Sequence, residues 1–474
     1  MLFNSFPYIF LFLPVSIIVY FSLNKISETG GKYWLVIISL IFYSFGSLTY
    51  LPLLLLSILA NYAISIPLHR NQTDNQQSKS NSKKILTIGI IFNVGLLAFF
   101  KYTDFFIANV NQATNMNISF LRLAIPLAIS FYTFQQITYL VDTYRREIKE
   151  TNFLDYCIFV TFFPRLMMGP ITRYNEIMPQ FQLAAQKKID YRNMSLGLFL
   201  FFLGLCKRVV IADTFGVYAD LGYKATQNLS MAEAWITSLS YTFQIYFDFS
   251  GYTDMAIGTA YFFNIKLPFN FNSPYLSVNI QDFWRRWHIT LSRFLRDYIY
   301  IPLGGNRKGE TSTYINIMIT FLIGGLWHGA GWTFIIWGGI HGTALCIQRA
   351  WKKLNIQIPK LLAIFITFNI VNIAWIFFRA KSLQDAINVC NAMVGFNTIK
   401  GIKAFETVGL FDHALALAIG IIAIVATFSL KNSNNIPNVF KPSTSMALIT
   451  TALIIVSLFF LNSVIPKGFI YNDF

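Results

Sequence analysis

Residues 361–378 read LLAIFITFNIVNIAWIFF, eighteen positions without a charged side chain. Crossing the hydrocarbon core of a bilayer takes about 20 apolar residues in a helix. The helix is needed because the bilayer offers no partner for an exposed backbone N–H or C=O. This run therefore predicts a transmembrane helix. Comparable runs lie at residues 8–23, 85–100, 121–140, 194–211, 332–345, 414–430 and 446–461. The run 33–68, broken around Gly46 and Ser47, reads as a hairpin of two more, and 235–261 is apolar but carries acids. The expectation is an all-α, polytopic membrane protein of about ten to twelve spans, with short re-entrant or interfacial helices around a central pore-like site.

Composition agrees. Of 474 residues 55% are hydrophobic and 12% charged, whereas a soluble domain carries about 25% charged residues. The start of the chain lacks the basic leader and small-residue cleavage site of a signal peptide, so it reads as a retained span. Cys157, Cys206, Cys346 and Cys390 stand in or beside apolar segments without metal-site or disulfide spacing, and read as packing residues. The net charge of +16 is dispersed over short loops. That pattern excludes a nucleic-acid partner and reports orientation, since basic loops stay cytoplasmic. The basic stretches 70–84, 285–308 and 352–353, with Arg145, Arg146, Lys187 and Lys188, are then cytoplasmic, and the N-terminus lies outside.

No repeat or linker divides the chain. It reads as one transmembrane domain, with N-terminal spans at 1–150, a catalytic core at 151–350 and C-terminal spans at 351–474. The peripheral pieces are a loop at 71–84, the segment 169–192, and an outer segment 381–407 holding a short amphipathic helix followed by a loop. From Tyr246 to Gly342 the apolar runs shorten and Asp, Arg, His and Gly enter them. An ionisable group at membrane depth costs at least ~2.5 kcal/mol on insertion scales, so chemistry is expected there.

Two constellations stand out. Residues 281–300, QDFWRRWHITLSRFLRDYIY, predict one amphipathic helix: Arg285, Arg286, Arg293 and Arg296 share an arc about 100° wide, aromatics cover the opposite face, and His288 lies at the border. Such a helix either anchors to anionic headgroups or gathers an anionic cosubstrate through its guanidinium groups. His288 is not explained by anchoring alone. The loop that follows, Pro302-Leu303-Gly304-Gly305-Asn306-Arg307, has glycines and cations but not the order of a P-loop. The second constellation is Leu326-Trp327-His328-Gly329-Ala330-Gly331-Trp332. The apolar run before it is only some 14 residues, about 20 Å of helix, which places His328 inside the bilayer rather than at a loop tip. Glycines 324, 325, 329 and 331 clear space around it for a helix or a substrate. His328 reads either as a core histidine bonded across helices or as a general base. His341 follows in Trp337-Gly338-Gly339-Ile340-His341 and has the stronger structural reading, while His69 and His413 sit at span edges. There is no nucleophile elbow, no HExxH and no Cys/His cluster, so neither a covalent intermediate nor a metal is expected.

These residues resemble the membrane-bound O-acyltransferase family, in its bacterial alginate O-acetylase-like and peptidoglycan O-acetyltransferase-like branch. The likeness rests on Trp327-His328-Gly329 with the upstream His288, and on Gly169-Pro170-Ile171-Thr172-Arg173. It extends to Tyr246-Phe247-Asp248-Phe249-Ser250-Gly251-Tyr252-Thr253-Asp254, Asp282-Phe283-Trp284-Arg285-Arg286-Trp287-His288, the Pro302–Arg307 stretch and Trp375-Ile376-Phe377-Phe378-Arg379-Ala380. The resemblance implies acyl transfer from a cytoplasmic thioester, acetyl-CoA or another acyl thioester acting as cosubstrate, to a hydroxyl of an extracytoplasmic glycan. No bound cofactor is implied. His328 and His288 would be catalytic; Arg285, Arg286, Trp287, Asn306, Arg307 and Trp327 would hold substrate; Asp248, Asp254 and His341 would support them. It further implies a multi-pass protein of the bacterial inner membrane, with the lipid bilayer and a separate extracytoplasmic acetyl-transferring protein as partners. The competing functions are D-alanyl transfer to teichoic acid and a polysaccharide or lipid transporter, for which no inverted repeat is visible.

Overall fold

In the computed structural model, residues 1–70, 76–150, 152–183, 188–396, 404–429 and 432–463 are described. They form helices joined by short connections, with no β-strand among the described residues. Among the described residues seven helices are long and apolar enough to cross a membrane, including Tyr8–Ile26, Leu51–Arg70, Lys360–Arg379 and Thr444–Asn462. Further apolar helices accompany them, and the chain is a polytopic all-α membrane protein. Two compact units emerge: Met1–Phe201 with Met255–Pro268, and Phe202–Asp254 with Phe269–Phe474.

The first unit holds α1 (Leu13–Ile26), α2 (Glu28–Ser47), α3 (Leu51–Arg70), α4 (Gln76–Thr114) and α5 (Ile129–Tyr144). The hairpin expected around Gly46 and Ser47 is the α2–α3 pair. Two expectations are corrected here. The stretch from Gln76 to Lys84 is helical and opens α4 instead of belonging to a loop; its Gln, Lys and Ser residues are compatible with a helix that the apolar run behind it propagates. Residues 71–75 lie outside those described, as does Lys187. The apolar run 121–140 is helical only from Ile129. Pro126 cannot donate to a helix, Arg122 and Ala128 stand at φ 50° and 61°, and Asp104 takes the backbone N–H groups of Leu121 and Arg122 at 2.8 and 2.9 Å. Between α3, α4 and α5 a buried amide network satisfies polar groups that lipid could not. Asn61 Nδ2 donates to Gln136 Oε1 at 2.7 Å, and Asn93 Nδ2 to Asn61 Oδ1 at 2.5 Å.

Further along the chain, past shorter helices such as Phe153–Thr161 and Tyr174–Gln182, are α6 (Tyr191–Cys206) and α7 (Met231–Phe262). The second unit then continues with α8 (Ile280–Arg286), α9 (Ile289–Leu295), α10 (Glu310–His328), α11 (Trp332–Trp351), α12 (Lys360–Arg379), α13 (Leu383–Met393), α14 (Leu410–Ser429) and α15 (Thr444–Ser463). The amphipathic helix of the outer segment is α13, whose Ala386, Val389 and Ala392 pack with Leu229, Ile376 and Ala380; residues 397–403 of that segment lie outside those described. α10 and α11 form a hairpin with reciprocal glycine contacts. A Cβ on Gly325 would meet the Phe334 carbonyl, and one on Gly338 the Phe321 carbonyl. The two backbones come this close only because both positions lack a side chain.

Candidate active site

The helix expected over residues 281–300 is two helices. Trp287 is extended (φ −105°, ψ 130°) and His288 left-handed (φ 41°, ψ 54°) between α8 and α9. The break is held by the Asn270 strand of chain: Asn270 Oδ1 accepts from Thr290 N–H at 3.2 Å and from Thr290 Oγ1 at 2.7 Å, and its carbonyl accepts from Ile289 N–H at 3.0 Å. These bonds satisfy donors at the start of α9 that a continuous helix would have paired internally. The single arginine face is therefore divided, with Arg285 and Arg286 on α8 and Arg293 and Arg296 on the following segment. Arg286 Nε bonds Asp282 Oδ1 at 2.9 Å, and Arg296 Nε bonds Asp297 Oδ1 at 2.6 Å. Trp287, expected to hold substrate, is a fully buried core residue stacked near Phe283, with ring centroids 5.6 Å apart. Asn306 and Arg307 are exposed on the loop before α10. Gly304 and Gly305 there adopt φ 116° and 57°, and Asn316 Nδ2 fixes the loop by donating to the Gly305 carbonyl at 2.9 Å.

His328 is the last residue of α10, 5% exposed, and the turn to α11 begins at Gly329. This corrects the reason for its burial. Nineteen residues of α10 rise about 28 Å, so His328 does lie at a hairpin turn, and the rings around it bury it rather than a short run. Trp327, Trp337 and Phe378 stand edge-on at centroid distances of 4.9, 4.9 and 5.1 Å. Gly329 is there because the Phe334 ring occupies the space a Cβ would take.

Two indoles connect the three imidazoles. Trp327 lies between His328 and His288, whose ring is 6.2 Å from it and 4.7 Å from Phe249. Trp337 lies between His328 and His341, 4.8 Å from the latter. His341 is fully buried, and its Nδ1 accepts from Trp284 Nε1 at 3.3 Å. Among the described residues, neither nitrogen of His288 has a hydrogen-bond partner, nor do His341 Nε2, Trp337 Nε1 and Trp375 Nε1. Buried polar atoms are paired in most native structures, so a concentration of open donors and acceptors around one cage marks a place for polar atoms of a substrate or water. Asp248 and Asp254 are engaged in ion pairs. Asp248 pairs with Arg208 at 2.5 Å, and Arg208 also with Asp213 at 2.6 Å. Asp254 pairs with Lys207 at 2.6 Å and accepts from Ser433 Oγ at 3.0 Å. Both act as clamps on the π-helical turn Lys207–Ala212. Phe249, Phe378, Trp284, Trp337 and Trp375 are not among the residues the sequence singles out for the site; Phe249, Trp284, Trp375 and Phe378 fall inside the stretches that carry the family resemblance, and Trp337 stands one helical turn before His341. No group of three metal-ligating side chains occurs among the described residues.

A polytopic helical bundle that buries three imidazoles in an aromatic cage has the features of an acyl-transferring membrane enzyme. The sequence signature of the MBOAT, membrane-bound O-acyltransferase, family matches residues 37–382. The chain belongs to this family and is an O-acyltransferase, using an acyl donor as cosubstrate. It is 47% identical to a peptidoglycan O-acetyltransferase of Helicobacter pylori, over 92% of this chain and 90% of that one. It is 37% identical to a probable alginate O-acetylase of Pseudomonas aeruginosa, over 92% and 83%. Likeness to a teichoic acid D-alanyltransferase of Bacillus subtilis is 30%, over 54% and 69%.

Proposed function

We infer that the chain, as one catalytic domain of a bacterial inner membrane, moves an acetyl group from a cytoplasmic thioester, acetyl-CoA foremost, to a hydroxyl of a cell-envelope glycan. The observation that carries this reading is the cage itself: three buried imidazoles grouped through Trp327 and Trp337, with both ring nitrogens of His288 and the Nε2 of His341 open among the described residues. His328 takes the proton of the attacking hydroxyl as general base. His288, with a nitrogen free to donate, polarises the thioester carbonyl. The new C–O ester bond forms as the C–S bond breaks, and the proton held on His328 is returned to the thiolate. A base in this position contributes roughly 10² to 10⁴ in rate. The donor's anionic portion is gathered by the basic stretch that follows His288, with Arg293 on α9 and Asn306 and Arg307 on the loop before α10. Trp327 lines the path between the histidines, and His341 positions Trp337.

Identity to a peptidoglycan O-acetyltransferase along nine-tenths of both chains supports a glycan strand of that type as acceptor, with an alginate-like exopolysaccharide as the other member of the class. A separate extracytoplasmic protein completes the transfer to the polymer. The test is mass spectrometry of envelope glycans from cells with the intact gene, with His328→Ala and without the gene. Acetyl esters present only in the first are expected. D-alanyl esters instead would move the chain to the teichoic-acid branch, and unchanged acetylation with His328→Ala would overturn the assignment.

A further inference from the structure

α8, α11 and α12 enclose a groove of about 1620 Å³ that none of the cage histidines lines. Small-molecule pockets are roughly 300–1,000 Å³, so the groove is larger than a drug-sized ligand needs. One wall is apolar: Ile336, Ile340, Ala344 and Ile347 of α11, facing Ile366 and Ile370 of α12. The α11 residues recur at three- and four-residue intervals and form one face of that helix. Phe334, Gly338 and His341 lie on its other, buried face, so the groove is turned away from the acyl-transfer cage.

Its charge is one-sided. Arg285, Arg286, Lys352 and Lys360 line it against a single carboxylate, Asp282, and Asp282 is taken by Arg286. Glu310, at the start of α10, is held by Arg349 and Lys353. Among the described residues Arg285, Lys352 and Lys360 have no ion pair. From Lys352 to Ile336 α11 runs 16 residues, about 24 Å, most of the depth of a roughly 30 Å core. Cations gathered at one end of an apolar trough of that length match a ligand with an anionic head and hydrocarbon chains. At Gly339 a Cβ would meet nothing within 4 Å, so the trough has room where its α11 wall carries no side chain.

We propose that this groove is a binding site for one anionic glycerophospholipid of the cytoplasmic leaflet, its phosphate held by Arg285, Lys352 and Lys360 and its acyl chains lying along Ile336 to Ile347. The two arginine groups separated by the break at His288 thereby divide in role: α8 meets lipid phosphate, and the segment after His288 meets the acyl donor. Anionic lipid is concentrated at the cytoplasmic surface and attracts basic segments there. The proposal stands apart from the choice of acceptor glycan.

The full-length protein, purified from membranes and exchanged into nanodiscs of mixed phosphatidylglycerol and phosphatidylcholine, is transferred to detergent and its retained lipid measured by native mass spectrometry. One phosphatidylglycerol per chain is expected, retained at least tenfold over phosphatidylcholine. Gly339→Trp, which fills the trough, reduces retention tenfold or more. Lys352→Gln with Lys360→Gln abolishes the preference for phosphatidylglycerol while both lipids still bind weakly. Ile422→Trp, on the exposed face of α14, leaves retention as in the parent. Each variant is compared only if it elutes and melts as the parent does in lipid-free detergent; the lysine variant, changed at exposed positions, keeps the test open if Gly339→Trp does not fold. Equal retention of the two lipids, retention unaffected by both groove variants, or displacement of phosphatidylglycerol by excess acetyl-CoA would overturn the proposal. The last outcome would make the groove a donor vestibule.

Discussion

At the residue scale, His288 joins chemistry and backbone in one position. A left-handed conformation costs an L-residue roughly 1–2 kcal/mol, with Asn and Asp tolerating it best. His288→Asn therefore keeps the break between α8 and α9 and an amide able to donate to a carbonyl. It is expected to melt within a degree or two of the parent and retain part of the transfer rate. His288→Val is expected to lose both activity and about 1–2 kcal/mol of stability. Thermal melts beside initial rates of acetyl transfer separate the two effects, and equal melting of the Asn and Val variants would remove the backbone argument. His328→Ala, at an ordinary helix end, is expected to reduce the rate by about 10² or more with little change in expression.

Elements carry the next level of cause. α10 and α11 approach through Gly325 and Gly338, and this approach places Trp337 against His328. Gly338→Leu forces a side chain into the Phe321 carbonyl, at a typical overpacking cost of about 1–3 kcal/mol, and the hairpin opens. The expected result is a lower melting temperature and a transfer rate reduced far more than donor affinity. A Gly338→Ala variant should fall between. The outer helix α13 is docked by polar contacts at its first turn: Ser382 Oγ and Thr226 Oγ1 each donate to the Asp385 carboxylate at 2.7 Å. These bonds, Ser382 first, hold the carboxyl below its usual value. A depressed carboxylate pKa stabilises the fold above the unfolded value, about 3.9, and that contribution disappears as pH falls through the folded value. Hydrogen-exchange protection of Leu383–Met393, corrected for the intrinsic rate, should thus hold at neutral pH and weaken below about pH 4. Asp385→Asn should remove this acid dependence.

For the whole molecule, the ion pairs of the Lys207–Ala212 turn are structural. Arg208 and Asp248 are 6% and 2% exposed as side chains, and removing one partner of such a pair costs about 3–5 kcal/mol. Asp248→Ala should therefore abolish accumulation of folded protein, whereas Arg208→Met with Asp248→Leu should restore part of it. If the double variant accumulated without transferring acetyl, a role for Asp248 beyond clamping would follow. The same scale shows what sequence periodicity could reach. The runs at 8–23, 332–345, 361–378 and 446–461 each fall within a helix, because in lipid an apolar run has no other way to satisfy its backbone. The same logic failed at 121–140 and at 281–300. In both, a residue outside the run, Asp104 or Asn270, captures backbone N–H groups that a continuous helix would have paired within itself.

The amino-acid sequence by itself determined that this chain is helical and membrane-embedded, and that between Tyr246 and Gly342 ionisable side chains enter apolar runs, with His288 and His328 standing out there. Those conclusions follow from local composition, spacing and motif, which act along the chain. Only the tertiary structure decided that Trp337, Phe378 and Phe249 wall the imidazoles, that Asp248 and Asp254 are clamps, and that the arginines of residues 285–296 stand on separate helical segments either side of His288. Each of these depends on contacts between segments far apart in sequence, such as His328 with Phe378 or Asn270 with Thr290. No periodicity within one segment encodes which distant side chain will complete its hydrogen bonds or its packing.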